Sequence, residues 1–110
     1  MTTASQTAWP EGILARYVTV AGVADGVTTV DLAVIEKPHH FPDGSVADRP
    51  LIRAACAGCS ASIEVSYWRM RRGTIAQWEV KDPQAAERDA RDWAQAHAEE
   101  CRAMARPESA

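Results

Sequence analysis

No run of apolar residues in this 110-residue chain is long enough to cross a bilayer, and no segment repeats or collapses into low complexity. A membrane-spanning protein and a repeat array are therefore not expected. Nor is there an excess of positive charge: 12 Lys and Arg stand against 15 Asp and Glu, a formal net charge of -3. That balance argues against a protein that coats nucleic acid through its overall charge. The first residues, MTTASQTAWPEG, hold neither a basic n-region nor an apolar h-region. No secretory signal is expected, and the expected compartment is a reducing cytoplasm. Cysteine is scarce and odd in number, three in all, which fits metal or redox chemistry better than a disulfide framework. Also missing are a Ser–His–Asp ordering, a paired-acid constellation and a phosphate-cradling glycine loop, so an enzyme is not expected.

What is present is an ordinary globular composition, 46% apolar and 25% charged. A chain this short buries a modest core, and such chains often add a metal or a crosslink. Residues 1–12 read as a loose arm, 13–104 as one domain and 105–110 as a tail. Val30, Leu32 and Val34 alternate with Asp31, Ala33 and Ile35, and Asp25-Gly26 supplies turn chemistry, which predicts a β-hairpin over 14–35. Lys37 to Asp48, with two prolines, His39-His40 and Pro42-Asp43-Gly44, reads as a surface loop. Alternation resumes through Ile63, Val65 and Tyr67, then through Ala76, Trp78 and Val80, two strands joined by the basic turn RMRRG.

Asp82-Pro83 is a helix start: an N-cap carboxylate followed by a proline whose missing N–H costs nothing at the first position. The helix is expected to run to about Met104, with an apolar stripe of Ala86, Ala90, Trp93, His97, Cys101 and Met104. Glu87–Arg91 and Arg88–Asp92 have ion-pair spacing on the other face. The fold class expected is α+β, a small antiparallel sheet of hairpins with one long C-terminal helix.

The chemistry concentrates in two short stretches, Cys56-Ala57-Gly58-Cys59 and His97-Ala98-Glu99-Glu100-Cys101. A CxxC knuckle holds two sulfurs on one side of an ion, with Gly58 placed where a tight turn calls for positive φ. A His and a Cys four apart on a helix stack one turn above each other and offer two more donors. Cys56, Cys59, His97 and Cys101 thus form a candidate Zn2+ site of three thiolates and one imidazole. Four protein ligands leave no place for a catalytic water, so the zinc would be structural. The competing uses are a redox CxxC, which belongs at a helix start rather than before a strand, and a buried histidine and cysteine with no ion between them. His39 and His40 are read as solvated rather than as ligands.

The order CAGC, hairpin, helix with HAEEC resembles an enlarged ββα zinc finger of CCHC ligand type over residues 50–104, and is similar to zinc-ribbon and treble-clef knuckles. The β-rich start, the CxxC and the WAxxHAxxC helix are also similar to small uncharacterised proteins of high-GC actinobacteria and their mobile elements or phages. From the fingers only the ligand positions carry over. The start of the helix, Asp82, Gln84, Ala85 and Glu87, does not have the composition of a base-reading surface.

Two binding functions fit. Trp68, Arg69, Arg71 and Arg72 form a basic, aromatic cluster suited to phosphates and bases, so nucleic acid is one partner class. The other is protein, recruited by an unpaired sheet edge or by the same arginines.

Overall fold

The computed structural model describes residues 9–103. The tail lies outside the described residues, as do all but Trp9–Gly12 of the arm and Met104, the expected last member of the helical stripe. The elements are β1 (Ile13–Val18), α1 (Val20–Asp25), β2 (Thr29–His40), β3 (Val46–Cys56), β4 (Ser62–Ser66), β5 (Trp68–Arg72), β6 (Gln77–Lys81) and α2 (Pro83–Glu100). Strands β1-β2-β3-β4 form an antiparallel sheet in that order, and β5-β6 form a separate two-stranded ribbon. The α+β class with a C-terminal helix is therefore observed.

Register explains which residues reach the core. Tyr17 pairs with Val30 and Val30 with Cys56; Ala15 pairs with Leu32, Leu32 with Ala54 and Ala54 with Ile63. Side chains alternate faces along a strand, so these rows all point to one side, where α2 lies. Val30, Leu32, Ile52 and Ala54 are fully buried there. The helix meets them with Ala86 and Ala90, as expected, and with Ala94 and Ala98, while Trp93 and Cys101 of the expected stripe pack against the same core from partly buried positions. Alanines four apart form a low ridge that lets the helix axis approach the sheet, and Trp93 and His97, one position back, are displaced to its half-buried flank.

Four local expectations are corrected. Asp25-Gly26 does not close a hairpin turn: β1 and β2 do pair, but they are joined by the short helix α1. Thr19 caps it by accepting from the Gly22 N–H at 2.9 Å, and Gly26 ends it at φ 74°. Residues 37–48 are mostly strand, because β2 and β3 continue to His40↔Val46 and only Phe41–Ser45 turns. The RMRRG segment is not a turn either. Trp68–Arg72 is strand β5, paired with β6 from Trp68↔Lys81 to Arg72↔Gln77, and the turn falls at residues 73–76. Ile63–Tyr67 pairs with β3 instead of with the strand that follows it.

The helix starts where expected, with the Asp82 carboxylate accepting from Ala85 N at 3.0 Å. It stops at Glu100, short of Met104, because Cys101 turns extended at φ -75°, ψ 123°. Of the two expected ion pairs, Glu87–Arg91 forms at 2.8 Å, while Arg88 turns to Asp89 at 3.6 Å.

Candidate metal centre

Each donor at this centre arrives on a segment held for its own reasons. Cys56 is the last residue of β3, buried opposite Val30. The knuckle that follows is pinned by Cys56 N–H to Ala61 O at 2.9 Å, Ser60 N–H to Cys56 O at 3.2 Å, and Ala57 N–H to Thr29 O at 3.0 Å on β2. His97 sits in the last turn of α2 with its ring stacked on Trp93, centroids 4.9 Å apart and planes 12° from parallel. Cys101 is the C-cap, and its N–H still reaches His97 O at 2.8 Å, so the final helical bond keeps the two donors one turn apart.

The four ligand atoms come together. Cys56, Cys59, His97 and Cys101 each place one donor atom within 4.8 Å of all the others. The Cys56 and Cys101 sulfurs are 3.8 Å apart, and the Cys59 sulfur lies 3.1 Å from His97 Nε2. A tetrahedral zinc with Zn–S bonds of about 2.3 Å has S···S edges of about 3.8 Å. The Cys56–Cys101 separation matches that edge and is far from the ~2.05 Å of a disulfide. The set could hold a metal ion, and cysteine sulfur and imidazole nitrogen are donor types that zinc accepts.

Electrostatics around the sulfurs point the same way. The Gly58 N–H donates to Cys56 Sγ at 3.4 Å. The Ala61 N–H holds the Cys59 thiol below its ordinary pKa, with the Cys101 and Cys56 thiols assisting against burial. At Cys101 the Ala103 N–H also lowers the pKa, but burial and the two neighbouring sulfurs outweigh it and leave it raised. Three thiols this close cannot all ionise cheaply without a cation, and a divalent ion removes that conflict.

Gly58 serves a different purpose from the one its position in the sequence suggests. It does not have positive φ; the left-handed residue of the knuckle is Ser60, at φ 69°. A Cβ at position 58 would instead lie 2.1 Å from Ala103 O and 3.0 Å from Thr28 Cγ2. The segment after Cys101 crosses directly over the knuckle, and only a bare Cα leaves room for it. Nothing local in the sequence signals this contact. Trp93, four residues before His97, was legible as a neighbour on the helix but not as the plate that fixes the imidazole.

The other candidate residues lie elsewhere. His39 is nine residues along β2 from Val30, about 30 Å of extended strand from the knuckle, and its ring packs edge-on against Phe41. Trp68, Arg69, Arg71 and Arg72 do share the ribbon, but their surroundings differ. Arg69 is paired with Asp89 on α2, and Arg71 is 3.6 Å from Asp82. Trp68 is partly buried beneath the guanidinium of Arg49, 4.5 Å from its ring. Arg49 also forms two 3.1 Å hydrogen bonds to Glu79 and lies 5.0 Å from the Phe41 ring centroid. Among the described residues Arg72 has no ion pair.

No protein-family model matches the chain, and neither a curated protein nor a solved structure is significantly similar to it. No helix among the described residues is long and apolar enough to cross a membrane.

Proposed function

We propose that this chain is a small non-enzymatic binding module, built on a structural zinc and directed at nucleic acid through the β5–β6 ribbon. The observation that carries the first half is the convergence of four sulfur and nitrogen donors from β3, the knuckle and the end of α2 within 4.8 Å. With all four positions supplied by protein, the ion would tie the sheet to the helix end. In small domains such a site contributes on the order of 10 kcal/mol, comparable to their whole stability. The likeness to CCHC fingers, and to small actinobacterial and phage proteins, is carried by ligand order and composition. Cytoplasmic placement follows from the same reading, since thiolate ligands persist in a reducing compartment.

The nucleic-acid half is supported by charge segregation: the ribbon holds Arg69, Arg71, Arg72 and Lys81 against Glu79 in a chain of net charge -3. A protein partner is the second reading, favoured by the exposed valines at the α1 corner, Val23 at 80% and Val27 at 68% exposure. Native mass spectrometry should find one zinc per chain, lost in Cys101→Ala and on chelation together with the cooperative melt. Binding to nucleic acid should weaken steeply with salt and drop when Arg71 and Arg72 become alanine. Salt-independent indifference to DNA and RNA would favour the protein partner.

A further inference from the structure

We infer that the ribbon takes nucleic acid as a single strand, with an unpaired base stacked on Trp78 and its flanking phosphates held by Arg71 and Arg72. This rests on the nucleic-acid reading above and adds the form of the ligand and the residue that receives the base. Trp78 was not among the candidate residues read from the sequence.

Three observations carry it. First, the Trp78 indole is 50% exposed and seated on the turn: a Cβ on Gly73 would fall 2.8 Å from its Cζ3 and 3.3 Å from its Cη2, so the ring lies against the turn backbone. That turn is closed by Gly73 N–H to Ala76 O at 2.8 Å. An indole backed by the turn, with its remaining surface in water, is what base stacking uses. Second, Arg71 is the cross-strand partner of Trp78 and so projects from the same face, with 54% of its side chain exposed. Arg72 follows at the last ribbon pair and starts from the opposite face, so it reaches a strand only around the tip, beside a shallow hollow of about 260 Å³ lined by residues 72–77. Arg69, by contrast, is held by Asp89 and only 28% exposed, which assigns it to anchoring the ribbon on α2.

Third, acidic groups decide between single strand and duplex. Asp82 and Asp89 lie beside the base of the ribbon and Glu79 at its middle pair opposite Met70, each in contact with an arginine. A duplex carries a phosphate charge every ~1.7 Å of axis and would press some of them onto these carboxylates. Its bases are also already stacked, leaving an exposed indole without use. A single strand crossing the ribbon near its tip meets Trp78, Arg71 and Arg72 along a path one chain wide, and among the described residues the only acidic contact it displaces there is the loose 3.6 Å approach of Arg71 to Asp82.

The test uses the full zinc-loaded chain and labelled mixed-sequence DNA and RNA about 12 nucleotides long, single-stranded and as duplex, followed by anisotropy at about 50 and about 200 mM salt. Single strands should bind at least about tenfold tighter than duplex. Trp78→Ala should lose on the order of tenfold in that affinity, Trp78→Phe should retain most of it, and Gly73→Ala, which moves the indole, should fall between. Zinc content and circular dichroism should be unchanged in all three. Single-strand binding that survives Trp78→Ala, or duplex binding of equal strength, overturns the stacking assignment while leaving the nucleic-acid reading standing. Absence of binding to every oligonucleotide at the lower salt sinks the nucleic-acid reading itself.

Discussion

Replacing Gly58 separates two reasons for a glycine in the knuckle. If the residue served a left-handed turn, Asn would be tolerated better than Ala, since Asn visits that region more readily. The structure gives the opposite order. Any Cβ at 58 meets the Ala103 carbonyl oxygen at 2.1 Å, more than 1 Å inside a normal contact, and a backbone oxygen cannot swing aside like the end of a side chain. The segment after Cys101 must lift, and it carries a candidate ligand two residues upstream. Overpacking of this kind costs about 1–3 kcal/mol. Gly58→Ala should therefore lower the melting temperature of the zinc-loaded protein by roughly 4–24 °C, at about 4–8 °C per kcal/mol for a small domain. Gly58→Asn should be at least as damaging, because its larger side chain adds to the same clash. Thermal melts at fixed zinc, with a competing chelator to read metal affinity, measure both. An alanine variant that melts and binds zinc like the parent, or an asparagine variant clearly better than alanine, would refute the close-approach argument.

Ser60 carries the left-handed strain instead, and Ser60→Gly should raise stability by up to about 1–2 kcal/mol, read as a higher denaturation midpoint. Arg49→Ala should cost about 1–2 kcal/mol through lost contact with the Phe41 and Trp68 rings, and Arg49→Lys should recover little of it because the planar stacking and the paired bonds to Glu79 are lost. At Asp31 burial pushes the carboxyl pKa up, but hydrogen bonds from Arg16 and Thr29 outweigh it and leave it below the usual 3.8. A carboxyl depressed in the folded state stabilises above its unfolded pKa and loses that contribution as pH falls through the folded one. The melting advantage of the parent over Asp31→Asn should thus be flat above about pH 5 and shrink below about pH 4.

Much of the candidate metal centre was legible because its donors come as local pairs. CxxC and His-x-x-x-Cys spacings fix which two atoms can face one ion, whatever the rest of the chain does, and the helix start at Asp82-Pro83 is a similarly local matter of capping. The ribbon was misplaced for the opposite reason. RMRRG has turn-like charge, but it gained a partner in residues 77–81, and strand pairing outweighs local preference. Residues 37–48 became strand in the same way, each half supplying the other's hydrogen bonds.

From composition and spacing alone came the class of chain, the alternating strands, the one long helix and the four candidate ligand residues, because each depends on neighbours within a few positions. Only the tertiary arrangement decided that Ala94 and Ala98 are buried against the sheet with Trp93 at their flank, that Gly58 is bare to admit Ala103, and that Trp78 and Arg71 share a face. Those facts depend on segments far apart in sequence meeting at a fixed distance, and a one-dimensional pattern does not record that distance.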